Sequence, residues 1–241
     1  DEALVRLNAL CAPGRRDLGR WTAGVWIDLG NLLRWVGRTA EAVEAYRRGV
    51  AAAPEMAAHH STLLYGMHFV PGMEGRELLA EHLRWNRMHV EPLRGARRGF
   101  AERKMRAAPG AGGKLRVGFV SPDLDSHVVG RFIEPFLREH DRARVEVTCY
   151  SGTTRPDRTT ERLRADAERW REIAGVPDEA VAEQIRADGI DVLIDLTMHM
   201  ERNRLLIFAR RPAPVQATYL AYCSTTGVET MDYRLSDAWL D

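Results

Sequence analysis

The stretch Leu115-Arg116-Val117-Gly118-Phe119-Val120, running into Ser121-Pro122-Asp123-Leu124, decides the fold. It is a short apolar run that stops at turn residues, which reads as a strand. Val145-Glu146-Val147-Thr148-Cys149-Tyr150 reads as a second strand, and residues 129–137 between them as a helix. Further on, residues 159–170 and 178–188 read as helices, the latter with Val181, Ala182 and Ile185 inward and Gly189 at its end. Residues 190–196 leave little polar face and form a buried strand. A short helix over 203–210, a strand over 215–219 and a last strand at Tyr233-Arg234-Leu235 complete the series. Strands alternating with helices predict a parallel sheet with right-handed crossovers.

Toward the N-terminus the periodicity changes. Ala107-Ala108-Pro109-Gly110-Ala111-Gly112-Gly113 is a linker by composition. The basic run before it (Arg94, Arg97, Arg98, Arg103, Lys104, Arg106) reads as a solvated surface, with phosphate contact as the alternative. Residues 56–92 are helical in pattern, with Leu63, Leu64 and Met67 in one run, a break at Pro71-Gly72, and Leu78, Leu79, Leu83 and Trp85 in the next. Residues 23–54 carry Trp26, Leu29, Gly30 and Leu33, then Gly37, Ala42, Tyr46 and Pro54, the spacing of a tetratricopeptide repeat. Trp26, Leu29 and Leu33 share one helical face, and Gly30 and Ala42 are small where two helices approach. One repeat cannot bury its own face, so neighbouring helices must cover it. Residues 1–20 read as a remnant of a preceding repeat. The organisation expected is therefore the end of a repeat array over 1–55, a helical connector and linker over 56–113, and an α/β lobe over 114–241.

The 241 residues carry a net charge of +1, which gives no strong attraction to nucleic acid or an anionic membrane. No apolar run approaches the ~20 residues of a membrane span. Cys11, Cys149 and Cys223 are widely spaced and odd in number, which argues for a reducing, cytoplasmic setting rather than a disulfide framework. The histidines show no zinc spacing: His59 and His60 are adjacent, His82 and His89 lack a nearby cysteine, and all four read as structural or solvated. No metal is expected. The chain opens on Asp1 and closes on Asp241 with no initiator Met or signal pattern, so it reads as a fragment.

Ligands of parallel sheets bind beyond the carboxyl ends of the strands, which selects the loops 121–130, 197–203 and 222–227. The first lacks both the dinucleotide and the P-loop glycine fingerprints. It places His127 at a helix start, where an imidazole can serve as general base, hydrogen-bond donor or plain structural group. The second holds His199, which suits either a hydrogen bond to a sugar or acceptor or a structural role, and follows Asp195, which can orient a neighbour or cap the loop. The third, Cys223-Ser224-Thr225-Thr226-Gly227, offers hydroxyls and backbone N–H groups that suit a sugar, a phosphate or a simple polar turn.

The strand-and-loop stretch 115–124, His127, Arg210-Arg211-Pro212-Ala213-Pro214-Val215-Gln216, and Thr225-Thr226-Gly227 followed by Met231-Asp232-Tyr233 resemble the protein O-linked N-acetylglucosamine transferase family, in its bacterial SPINDLY-like branch. The upstream repeat and the His60-Ser61 helix match the same layout. The resemblance implies a GT-B fold of two Rossmann-like lobes, of which this chain holds the N-terminal one and lacks the second. It implies transfer of N-acetylglucosamine from UDP to Ser or Thr hydroxyls of proteins, with inversion, without metal or other cofactor, and with the repeats gathering the acceptor. His127 matches the active-site histidine. Leu220, Ala221 and the Thr225-Thr226-Gly227 turn match the stretch near the donor sugar, and His199 stands where animal members carry tyrosine. Cys223-Ser224 replaces Pro-Gly, and Ala221 replaces Gly, relative to the animal pattern. Because most nucleotide contacts in the family come from the second lobe, the chain by itself is expected to be inactive. The competing readings are a protein O-fucosyltransferase using GDP-fucose, an N-glucosyltransferase, and a non-catalytic repeat scaffold.

Overall fold

The structure is a computed structural model that describes residues 2–10, 21–97, 99 and 113–238. Its contacts separate into two units, Asp1–His89 with His199–Glu201, and Val90–Met198 with Arg202–Asp241. Cys11 and most of the 107–113 linker lie outside the described residues, as do Arg98, Arg103, Lys104 and Arg106.

The first unit is helical: α1 (Glu2–Leu10), α2 (Thr22–Trp35), α3 (Thr39–Ala52), α4 (Ala57–Met67) and α5 (Gly75–Trp85). A π turn, Asn86–Val90, follows α5. The α2 helix stops just before Gly37, with the Arg38 and Gly37 amides closing back onto the carbonyls of Leu33 and Arg34. Ile27, Leu29 and Leu33 of α2 meet Ala42, Val43, Tyr46 and Val50 of α3 and Leu63 and Met67 of α4. Each such buried aliphatic side chain contributes roughly 1.5–3 kcal/mol. Tyr46 is the centre of this core. Its fully buried ring lies against Gly30 of α2 on one side and Gly66 of α4 on the other, where a Cβ would collide with it. Its hydroxyl donates to Asn31 Oδ1 at 2.9 Å. Trp26, expected on the buried face, is only partly buried and carries the Arg48 guanidinium over its ring at 4.9 Å.

The second unit is an α/β lobe. Its strands are β1 (Leu115–Ser121), β2 (Val145–Ser151), β3 (Arg169–Glu172), β4 (Val192–Asp195), β5 (Val215–Tyr219) and β6 (Tyr233–Leu235). They form one all-parallel sheet in the order β3-β2-β1-β4-β5-β6. The helices are α6 (Val128–Glu139), α7 (Arg158–Asp166), α8 (Asp178–Asp188) and α9 (Leu205–Ala209). Alternate residues of each strand feed opposite cores. Val117, Phe119, Cys149 and Ile194 pack with Ile133 and Leu137 of α6 and Leu163 of α7. Val120, Tyr150 and Leu193 pack with Val181 and Ile185 of α8 and Phe208 of α9. Helices cover both faces, so the strands read as continuous apolar runs.

One expectation needs correction. The helix read over 159–170 ends at Asp166, and Trp170 lies in the edge strand β3. The start is well specified, since Asp157 caps α7 and Thr160 completes a capping box. Beyond it, the charged Arg169-Trp170-Arg171-Glu172 gives no strand signal, because an edge strand needs little apolar surface and is commonly guarded by charge. Arg169 pairs with Glu146 at 2.8 Å and Arg171 with Asp188 at 2.7 Å. The basic run at 94–106 also resolves in part. Arg94 and Arg97 belong to the lobe and grip Glu229, Arg94 through Nε and Nη2 at 2.9 and 2.7 Å and Arg97 through Nη2 at 2.6 Å.

Candidate active site

In this strand order the chain leaves β1 and β4, which are neighbours, toward opposite halves of the sheet, and the crevice at their carboxyl ends is where such sheets bind ligands. The loop after β1 is held by its own side chains. Ser121 Oγ accepts from the Asp123 amide at 3.0 Å, and Asp125 accepts from the His127 amide and from Thr153 Oγ1, both at 3.0 Å. His127 is the N-cap of α6: its Nδ1 accepts from the Val129 amide at 3.3 Å. The neutral ring therefore carries its proton on Nε2. Asp123 Oδ2 lies 4.0 Å from Nδ1, while Asp123 Oδ1 accepts from Arg202 at 3.0 Å. The His127 side chain is 47% exposed, so its edge is open to a ligand. Gly130, one turn into α6, sits against the Asp125 carbonyl with no room for a Cβ, which lets the loop close onto the helix.

After β4 the chain turns on Asp195, which is fully buried. Its carboxylate accepts from the amides of Thr197 (3.2 Å) and Met198 (2.7 Å) and from Thr218 Oγ1 of β5 (3.2 Å). Burial nevertheless pushes its pKa up to about 6. Met198 is left-handed, at φ 50°.

After β5, Leu220 and Ala221 are both left-handed at φ 66°, and the Tyr222 amide closes a γ-turn onto the Leu220 carbonyl at 2.9 Å. Two consecutive non-glycine residues in this region are costly and cluster at functional sites. They border a cavity of about 490 Å³ that is lined also by Met198, Tyr219, Tyr222, Cys223, Phe132 of α6 and residues 234–237. Cys223 is exposed and not in a disulfide. Thr225, Thr226 and Gly227 line a smaller cavity of about 180 Å³ with Thr218 and Arg234. The Thr225 and Thr226 hydroxyl oxygens accept from the amides of Gly227 (3.1 Å) and Val228 (3.3 Å).

His199 lies in the helical unit. It is 1% exposed, its Nδ1 is 3.1 Å from Ser61 Oγ, and its ring meets His82 and Trp85 edge-on with centroids 5.1 and 5.0 Å away. His60 and His89 belong to the same buried set: His60 Nδ1 is 3.1 Å from His89 Nε2, and His60 Nε2 is 2.8 Å from Glu81. Burial lowers His82 and His89 to about 4, so both are neutral at pH 7. No group of three or more histidine, cysteine, aspartate or glutamate side chains suited to a metal ion occurs among the described residues.

The residues singled out from sequence thus fall into separate places. Leu220 and Ala221 share the larger cavity, Thr225, Thr226 and Gly227 the smaller one, His127 caps α6, and His199 is buried among helices. Sequence reasoning passed over Asp123, whose partner Arg202 is remote in the chain, and the left-handed backbone of Leu220 and Ala221, which no residue type announces.

A doubly wound parallel sheet with polar loops at its carboxyl edge defines an α/β lobe of the kind that holds nucleotide-type ligands. The sequence profile described as "Glycosyl transferase family 41" matches residues 52–240, and the chain belongs to that family. It is 42% identical over 132 residues to the "Probable UDP-N-acetylglucosamine--peptide N-acetylglucosaminyltransferase SPINDLY" of Petunia hybrida, a match covering 53% of this chain and 14% of that protein. It is 38% identical over 130 residues to the "UDP-N-acetylglucosamine--peptide N-acetylglucosaminyltransferase" of Caenorhabditis elegans, covering 53% and 11%. A solved mutant of the Thermobaculum terrenum O-GlcNAc transferase superposes with a TM-score of 0.83 at 35% identity, covering 97% of this chain and 43% of that one. The chain therefore spans less than half the length of these relatives. No described helix is long and apolar enough to cross a membrane.

Proposed function

We propose that the chain supplies one lobe and the adjoining helices of a transferase that moves N-acetylglucosamine from UDP to Ser or Thr hydroxyls of proteins. The observation that carries this reading is the cavity bordered by the left-handed Leu220-Ala221 pair at the carboxyl edge of the sheet. It is of a size to take a glycosyl group, and the named relatives use UDP-N-acetylglucosamine on peptides. In this reading the acceptor hydroxyl oxygen bonds to the anomeric carbon as the bond to the UDP diphosphate breaks on the opposite face, and the hydroxyl proton passes to the departing diphosphate or to water, which inverts the centre and calls for no metal. Leu220 and Ala221 contact the transferred sugar, and Thr225, Thr226 and Gly227 support that stretch. His127 presents Nε2–H to the substrates. The cap on Nδ1 favours this donor role over that of a base, because an Nε2 base requires the proton on Nδ1 and would break the bond from Val129. His199 has a structural part, held beside Ser61 within the helical unit. The helical hairpin α2–α3 is the last of a tetratricopeptide array that gathers the acceptor, and the remaining nucleotide contacts come from a second lobe. The setting is cytoplasmic.

The test is nucleotide release by the protein at its natural length, with UDP-N-acetylglucosamine and GDP-fucose supplied separately. Acceptor-dependent UDP release supports the reading, and GDP release replaces the donor.

A further inference from the structure

Asp195 has no part in the chemistry above, yet it is the most unusual acid of the lobe. It is fully buried, and among the described residues no cation lies beside it and its three partners are neutral donors. Those donors come from the carboxyl ends of β4 and β5, and both ends lead into residues that line the larger cavity. The Met198 amide belongs to a left-handed residue that lines the cavity. Thr218 directly precedes Tyr219, Leu220 and Ala221, which line it too. One carboxylate therefore bridges the exit of β4 and the exit of β5.

We infer that Asp195 is a positioning residue: as an acceptor-only carboxylate it fixes the two strand ends at the spacing that shapes the sugar-binding cavity. This rests on the transferase reading. The chemistry is specific to the ionised form. Two of the three donors are backbone amides, which cannot reverse their direction, so an Asn at this place must turn its NH2 toward one of them. A protonated carboxyl can keep both amides only by turning its O–H to Thr218 and reversing that hydroxyl, which alters the link to β5. A plain loop cap would require only the Thr197 and Met198 bonds. The bond from Thr218 is what couples the second strand. The raised pKa of about 6 places the change of state within reach of a pH titration. Among the described residues, the groups that set its charge state are Thr197, Met198 and Thr218, with no charged side chain contributing.

The experiment uses the protein at its natural length and compares wild type, Asp195→Asn and Thr218→Val from pH 5 to 8, reading kcat and the KM for UDP-N-acetylglucosamine. In the wild type, KM rises on the order of tenfold as pH falls through about 6, the scale of loss that small misplacements of binding groups cause. Thr218→Val removes a bond that favours the ionised form, so it moves this midpoint to higher pH. Asp195→Asn holds KM at the raised level throughout, with kcat much less affected. A midpoint unmoved in Thr218→Val, or wild-type KM in Asp195→Asn, overturns the inference. If Asp195→Asn fails to fold, the Thr218→Val midpoint decides alone. If no nucleotide sugar is turned over, the transferase reading fails separately. Hydrogen exchange of the Thr197 and Met198 amides, corrected for intrinsic rates, then decides: protection that falls through pH 6 with its midpoint raised in Thr218→Val supports the link, and a flat profile overturns it.

Discussion

The Val129 amide donates to Nδ1 of His127 at 3.3 Å, so one imidazole both caps α6 and keeps Nε2 for another partner. Stability and chemistry can be separated here. His127→Ala removes the cap and should cost about 0.5–2 kcal/mol as well as transfer. His127→Asn supplies a good capping side chain without Nε2, so thermal melts should stay near wild type while turnover is lost. Turnover retained in His127→Asn would remove the ring from the mechanism.

The buried histidines make the helical unit sensitive to acid. His82 and His89 are held near 4, below their ordinary 6.5, because burial disfavours the charged ring. The unfolded chain thus binds more protons than the folded one between about 6.5 and 4, and stability rises with pH across that window. As pH falls through it, each ring should forfeit on the order of 2–3 kcal/mol. Asp195, raised to about 6 from 3.8, acts with the opposite sign, since the folded lobe holds its proton more tightly. Denaturant melts of wild type at pH 7 and 4.5, followed by a probe in each unit, check both signs. A helical unit equally stable at the two values would contradict the first.

Gly66 is a packing requirement. Alanine in a helix normally gains about 1 kcal/mol over glycine. At Gly66 the added methyl meets the Tyr46 ring, and a net loss of roughly 1–2 kcal/mol is expected from overpacking. Gly24→Ala, in α2 with nothing within 4 Å of the new methyl, is the control and should be neutral or stabilising. Chemical denaturation of the pair measures the difference.

Glu229 is pulled down to about 2, chiefly by its hydrogen bond from Arg94, with Arg97 adding to it. A folded pKa below the unfolded one gives stability that is present above about 4.3 and lost as pH falls toward 2. The cluster is partly solvated, so Glu229→Gln should cost only about 1 kcal/mol, less in high salt. Melts at low and high ionic strength check this.

Much of the lobe was legible because buried parallel strands are written as apolar runs: the strand predicted over 215–219 matches β5, Tyr233-Arg234-Leu235 matches β6, and 178–188 matches α8. The β3 strand was not legible, since its residues carry charge rather than apolar alternation. At the site, Leu220 and Ala221 were singled out only through the family resemblance, and their backbone conformation was not legible, because φ above zero in a non-glycine residue is imposed by surroundings. His199 was ambiguous for a related reason. Its partner Ser61 lies 138 residues away, and a lone histidine does not reveal whether it meets a ligand or a core.

The most direct test of the central claim is intact-mass and fragment analysis of a protein acceptor after incubation with the natural-length protein and UDP-N-acetylglucosamine. Transfer by this protein gives single N-acetylhexosamine additions on Ser or Thr, absent with His127→Asn. An unmodified acceptor, or one modified equally by His127→Asn, would contradict it.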